Sequence, residues 1–207
     1  MASEHLYTFL DPPNQRHLDQ IVDVLRNNGV IAIGTGTNWA FAADPTSKKA
    51  NQRIRQLKPD HPSDRPFALL CDSISMAANM TAIDGRAYRL LNRIWPGPFT
   101  VLLNASRNLP RVLKTKRAVV GVRIPADALA LLIVEQFGGP LMASTVPTDD
   151  QGQHLTMGYE VYEQFGTGIE LVVDLGEPLP GTETTVVDMS AGDIEIVRQG
   201  AGDAGLL

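Results

Sequence analysis

The spacing of apolar residues along this chain switches repeatedly between the helical period and short buried runs. Leu18, Ile21, Val22 and Leu25 recur at helical spacing and predict a helix over roughly 15–28, capped by Asn14 and stopped by Gly29. The four-residue apolar run 30–33 that follows is too short for a helix and reads as a buried strand. Ser47 caps a second helix with Ala50, Ile54 and Leu57 on its inner side, ending at Lys58-Pro59. A proline-broken loop leads from there to a strand at 67–71. Short helices follow from Asp72-Ser73 to about Met80 and from Asp84 to the Trp95-Pro96-Gly97-Pro98 stop, the latter with Ala87, Leu90, Leu91 and Ile94 inward. Strands are predicted at 99–103, 118–124, 141–143, 169–174, 184–188 and 194–198, and helices at 127–137 and 159–165. Strands that alternate with helices over the whole length imply a mixed α/β sheet. The first residues, up to Asp11, read as a short strand-like lead, and 144–156 as a polar loop.

The turn after the first buried strand, Gly34-Thr35-Gly36-Thr37, is the stretch with most chemical content. Its glycines let a ligand approach the backbone, and its threonines offer donors and acceptors at a strand end, where open α/β sheets bind ligands. A tight turn with no ligand explains the same residues. The pattern is neither a dinucleotide fingerprint, because Trp39 stands where a third glycine is needed, nor a phosphate loop, because no Gly-Lys-Ser/Thr follows.

Composition adds three constraints. With 207 residues, 43% hydrophobic and 20% charged, the chain fits one ordinary globular domain, and no apolar run approaches a membrane span. The acidic start does not resemble a signal peptide, and the single cysteine, Cys71, excludes an internal disulfide, so a cytoplasmic protein is expected. His5, His17, His61 and His154 show no metal-ligand spacing, so no protein-held metal is expected. Charge is divided unevenly. Residues 1–123 hold 17 of the 18 Lys and Arg but 9 of the 23 acids, whereas 124–207 hold one base, Arg198, and 14 acids. A basic half favours a polyanion partner, although a solvated surface accounts for it as well. The segment bearing Arg107, Arg111, Lys114, Lys116 and Arg117 reads as a mobile basic edge facing the open side of the sheet, too polar for core and a candidate RNA contact.

Several blocks resemble one family. WPGPFT at 95–100 is similar to the WPGPLT block of the YrdC/YciO proteins, and VGVRIP at 120–125 to their VAVRVP strand. GTGTNWAF at 34–41 stands where they carry PTDTVYGL. Pro140-Leu141 with Ser144-Thr145 stands where they carry PL…STSAN, and TTVVD at 184–188 and IVRQG at 196–200 resemble their closing blocks. The order agrees from about residue 17 to 202, nearest the YciO branch. The resemblance implies a twisted, mixed, open α/β sheet with helices and a large concave, positively charged surface, in a single domain over 1–207. Members condense L-threonine, bicarbonate and ATP into threonylcarbamoyl-adenylate for tRNA modification. Others are described as double-stranded RNA binders, and related domains handle carbamoyl-adenylate. ATP with Mg²⁺ is thus implied as a substrate, with no tightly bound cofactor, and L-threonine and tRNA or double-stranded RNA as partners. Longer relatives carry a further C-terminal domain; without one, the chain is expected to act alone or with a partner.

Matched residue by residue, the resemblance implies amino-acid binding by Thr35, Thr37 and Trp39. It implies nucleotide binding by Lys58, Arg123, Ser144, Thr145, Thr185 and Arg198, with Arg65 as a substitute for a missing cation. The chain departs from the pattern where chemistry resides. Gly36 replaces an aspartate, Asp60 the arginine of the K-x-R pair, and Pro147 the asparagine of S-A-N. Three readings stay open: a synthetase with eroded motifs, an RNA-binding protein without chemistry, and an adenylate-binding relative with another small ligand.

Overall fold

The computed structural model describes residues 3–62 and 64–207; Met1 and Ala2 of the N-terminal lead, and Ser63 of the 58–66 loop, lie outside the described residues. Ten strands form one open sheet. In chain order they are β1 (Glu4–Tyr7), β2 (Ile31–Gly34), β3 (Trp39–Ala43), β4 (Ala68–Leu70), β5 (Phe99–Asn104), β6 (Val119–Arg123), β7 (Leu141–Thr145), β8 (Leu171–Asp174), β9 (Thr185–Asp188) and β10 (Glu195–Arg198). Their spatial order is β1-β8-β2-β3-β7-β4-β6-β5-β9-β10. Pairing is mixed: β8 runs parallel to β1 and β2, β4 to β6, and β5 to β9, while the remaining neighbours are antiparallel.

The helices form where capping and apolar spacing agree. α1 (Gln15–Arg26) starts at Asn14, whose side chain accepts from the amides of Arg16 and His17, and it buries Leu18, Ile21, Val22 and Leu25. It stops two residues earlier than its pattern predicts, because Asn28 turns left-handed and Gly29 passes so close to Val24 that a Cβ would lie 2.7 Å from the Val24 carbonyl oxygen. Ser47, Ser73, Asp84 and Asp127 cap α2 (Lys48–Leu57), α3 (Ile74–Met80), α4 (Gly85–Ile94) and α5 (Ala128–Phe137), as their positions in the sequence predict. α6 spans Gly158–Phe165. None of these helices is long and apolar enough to cross a membrane.

Strand alternation divides the core in two. Ile31 and Ile33 of β2 join α1 and α5 in one cluster, while Ala32, with Phe41 of β3 and Leu69 of β4, joins α4 and the aromatic residues Trp95 and Phe99 in the other. β3 is absent from the pattern-based prediction because all five of its residues are buried and it is paired on both sides, by β2 and β7, so no polar alternation marks it. β7 likewise runs two residues further than predicted, carrying Ser144 and Thr145 into the ladder opposite Phe41 and Ala40.

The basic segment 107–117 is not as the sequence predicts. Leu109 and Leu113 anchor it in the core through a 3₁₀ turn (Arg111–Leu113), while its five bases and Asn108 are exposed. It follows Asn104, which pairs with Val119 at one end of the β5–β6 ladder, whereas Thr100 and Arg123 lie at the other, about 13 Å away at strand rise.

The turn at 95–98 feeds β5 through a close backbone approach. Gly97 donates its amide to the Ile124 carbonyl (2.9 Å), and a Cβ on it would lie 2.5 Å from the Ile94 carbonyl oxygen. Gly97→Ala is therefore expected to lower stability by about 3 kcal/mol, read as a shift of the urea midpoint without a change of slope.

Candidate functional site

The β2–β3 turn is closed by Thr35, whose amide and hydroxyl both donate to the Asn38 carbonyl (3.1 and 2.8 Å). It is held from outside by Arg123 at the end of β6. That guanidinium donates through Nη1 to the hydroxyls of Thr35 (3.1 Å) and Thr37 (3.0 Å), through Nη2 to the Thr35 carbonyl (2.7 Å), and through Nε to the Gly97 carbonyl (3.3 Å). Three sequence blocks far apart in the chain thus meet on one side chain that is 7% exposed. Burial draws the Arg123 pKa down to about 10, against the opposing pull of Asp127. Burial also raises the pKa of Asp127, opposed by the amide of Ala130 and by Arg123.

This turn forms one wall of a cleft of about 60 Å³ over the middle strands, lined by the hydroxyl-bearing residues Thr35, Thr37, Thr100, Ser144, Thr145, Thr182 and Thr184, with Asn38, Arg123 and Glu183. Ala40, Ala68, Leu70 and Ala143 make its apolar floor. Residues 179–184 cross over the turn, tied by the Leu179 amide to the Thr156 carbonyl (2.9 Å) and by the Thr182 amide to the Thr37 carbonyl (3.0 Å). At the rim, Lys58 Nζ donates to the Thr145 carbonyl (2.7 Å). Arg198 donates to the Thr184 carbonyl from Nε (3.2 Å) and Nη2 (3.0 Å), and its Nη1 pairs with Glu183 Oε1 (3.0 Å). Burial lowers the Lys58 pKa; Glu183 opposes that shift and Arg198 adds to it. A larger hollow of about 810 Å³ beside α1 draws on Arg16, Asp23, Asn27, Lys49 and Glu170. It shares no residue with the cleft and gathers no comparable set of hydroxyls.

Of the residues singled out in the sequence, Thr35, Thr37, Arg123, Ser144 and Thr145 line the cleft, and Lys58 and Arg198 contact its lining. Three do not reach it. Trp39 is 2% exposed and sits in the core on the opposite face of β3, its Nε1 donating to the Thr156 carbonyl (3.1 Å), so it is not placed to bind a ligand in the cleft. Thr185 is fully buried and uses its hydroxyl on Gly200 and Gly202, while its neighbour Thr184 faces the cleft. Arg65 is exposed and absent from the lining; its amide donates to the Pro62 carbonyl and its carbonyl accepts from Arg55 and His61. Arg107, Arg111, Lys114, Lys116 and Arg117 lie beyond the far end of β5–β6. Asn38, Thr100, Thr182, Glu183 and Thr184 were missed. Strand alternation is the signal for Asn38: once Trp39 points to the core, 38 and 40 must point to the cleft.

Chemically, the cleft offers donors, hydroxyls and rim cations. No histidine or cysteine lines it, and among the described residues no cluster of His, Cys, Asp and Glu is arranged to hold a metal ion. Such a set binds and orients polar, anionic molecules and leaves covalent chemistry to the bound reactants.

A family model, Sua5_yciO_yrdC, described as "Telomere recombination", matches residues 23–200. YciO of Escherichia coli (strain K12) is 28% identical over 202 residues, 97% of each chain. The crystal structure of E. coli YciO superposes with a TM-score of 0.91 at 27% identity, covering 99% of this chain and 98% of that one. A threonylcarbamoyl-AMP synthase of Pyrococcus abyssi is 30% identical over 177 residues, 85% of this chain but 52% of the synthase. The crystal structure of P. abyssi Sua5 complexed with L-threonine superposes with a TM-score of 0.83 at 26% identity, over 97% of this chain and 58% of that one. The chain therefore matches YciO along nearly all its length and about half of the archaeal synthase.

Two outcomes follow from this geometry. Arg123→Lys, which keeps the charge but not the planar fork, is expected to cost about 3 kcal/mol in chemical denaturation, because one ammonium cannot serve four acceptors on two turns. Glu183→Gln removes the carboxylate that raises the Lys58 pKa, so Lys58 is expected to lose its proton at lower pH than in the parent. The pH dependence of amine labelling at Lys58, followed by mass spectrometry, measures this; an unchanged midpoint would mean that the two groups do not sense one another.

Proposed function

The chain belongs to the Sua5/YciO/YrdC family, and we propose that its cleft binds a small amino acid within and ATP at the rim, as a relative of the threonylcarbamoyl-AMP synthases with weakened chemistry. In the reaction, the amine of L-threonine takes up the carbon of bicarbonate to give a carbamate, with loss of water. A carbamate oxygen then attacks the α-phosphorus of ATP and pyrophosphate leaves, giving threonylcarbamoyl-AMP, the donor for an adenosine modification in tRNA. Mg²⁺ arrives with the nucleotide. No protein nucleophile takes part. The required work is alignment and charge neutralisation, which hydroxyls and cations supply.

The observation that carries this reading is the convergence of seven hydroxyl-bearing residues with the rim cations Lys58 and Arg198 at one cleft. It is supported by likeness to a Sua5 structure complexed with L-threonine. The weakening follows from Asp60 and Pro147, which stand where the family pattern has an arginine and an asparagine. Two lost charge-assisted or amide contacts are worth about 3–6 kcal/mol, or ~10²–10⁴ in rate. A second reading, RNA binding, draws on the exposed bases at 107–117; they lie away from the cleft, so RNA contact there would be independent of nucleotide chemistry.

Pyrophosphate release from ATP is the test. Slow release that requires both L-threonine and bicarbonate, and that falls at least tenfold in Arg198→Ala, is expected. ATP binding by calorimetry without threonine-dependent release would move the reading to an adenylate-binding relative with another ligand. Absence of both, together with RNA binding whose log–log salt slope is about −0.7 per neutralised phosphate on single strands, would replace it with the RNA reading.

A further inference from the structure

Among the described residues, four buried side-chain polar atoms find no hydrogen-bond partner, and of these only Asn38 Nδ2 belongs to a residue lining the cleft. Asn38 is 5% exposed. Its amide orientation is determined by a neighbour: Oδ1 accepts from the Trp39 amide at 3.0 Å, and a flipped side chain would set two donors against each other. Nδ2 is thus left as a donor without an acceptor. A buried donor in that condition is destabilising, and its persistence calls for a specific explanation.

The register of the sheet supplies one. β3 pairs with β7 through Phe41↔Ser144 and Ala40↔Thr145, and the bond from the Val146 amide to the Trp39 carbonyl (2.9 Å) carries the pairing one step further. Extended by one residue past the two strands, the same register sets Asn38, just before β3, opposite Pro147, just after β7. Residues opposite each other on antiparallel strands project to the same face. In the resembling blocks, a valine stands at the position of Asn38 and the asparagine of S-A-N at the position of Pro147. Here the amide is on the facing strand and the position that lost it holds a side chain with no donor. Three cations surround it, Arg123 buried in the same wall and Lys58 and Arg198 at the rim, against one carboxylate, Glu183, which pairs with Arg198.

We propose that Asn38 is the ligand-holding amide of this cleft, donating through Nδ2 to the carboxylate of a small amino-acid ligand from the end of the β2–β3 turn, in place of a donor that relatives carry across the strand pair. This rests on the reading that the cleft takes an amino acid. Asn38 contributes specificity as well as affinity. An acceptor-only oxygen satisfies Nδ2, whereas an apolar or donor group at that point leaves it unpaired.

The test is calorimetric binding of L-threonine, L-serine, glycine and acetate to the full chain and three variants. Asn38→Asp keeps the acceptor for the Trp39 amide and turns the donor into a carboxylate. Asn38→Val removes the amide, and Asn38→Val combined with Pro147→Asn restores an amide on the other strand. Whichever probe the parent binds is expected to bind at least tenfold more weakly to Asn38→Asp and Asn38→Val, and within about threefold of the parent in the double variant. A folded Asn38→Asp protein, checked by circular dichroism, that binds its probe within threefold of the parent overturns the proposal. So does a double variant that is folded but not restored, and so does a parent that binds none of the four at millimolar concentration. If L-threonine binds equally well to parent and Asn38→Asp, the threonine reading stands and this proposal falls. If another probe binds through Asn38 and L-threonine does not, the reverse holds.

Discussion

One buried guanidinium organises the site. Arg123 reaches from the end of β6 to the β2–β3 turn and to the 95–98 turn, and its four hydrogen bonds hold together segments up to 88 residues apart. Taking a cation out of water is costly unless its donors are matched. Here two hydroxyls and two backbone carbonyls match them, with Asp127 as the nearby opposing charge. The arrangement explains why the threonines of the turn are needed even before any ligand is considered: Thr35 and Thr37 shape the wall by accepting from Arg123. The cleft beside it is consequently a consequence of the core packing, and its shape is set by residues that cannot shift independently.

Strand alternation decides which residues of each block face a ligand. Trp39 and Asn38 are neighbours, as are Thr185 and Thr184, and in each pair one member packs inward while the other lines the cleft. The inward members, Trp39 and Thr185, support the site by position. Trp39 ties β3 to the 156 loop, and Thr185 gathers the amides of Gly200 and Gly202, which brings the chain end back beneath Arg198.

Much of the fold was legible because its helices carry clear caps, joined to apolar stripes in α1 and α4 and to an almost wholly apolar sequence in α5. β3 was not, since a strand buried on both faces has no polar period to reveal it. The basic segment misled for the opposite reason: its charges dominate its composition, while two leucines, Leu109 and Leu113, determine where it packs. The matched blocks do meet at the cleft, but in two of them one singled-out residue, Trp39 or Thr185, turns into the core. Lys58 and Arg198 were legible as isolated cations in informative places, but Glu183, which pairs with one and raises the pKa of the other, is invisible without the path of the 179–184 segment.

The parallel pairing of β8 has a temporal meaning for the chain as it is synthesised. β8 lies between β1 and β2, and Leu171 pairs with both Glu4 and Ile31. At ribosomal speeds of about 5–20 residues per second, the N-terminal strand waits roughly 10–30 s for its neighbour β8 to emerge. Throughout that interval β2 presents an unpaired apolar edge, with Ile31 and Ile33 uncovered by β8. The β1 end of the sheet is therefore completed late, and a nascent or truncated chain ending before β8 exposes the kind of strand edge that other chains, or chaperones, engage.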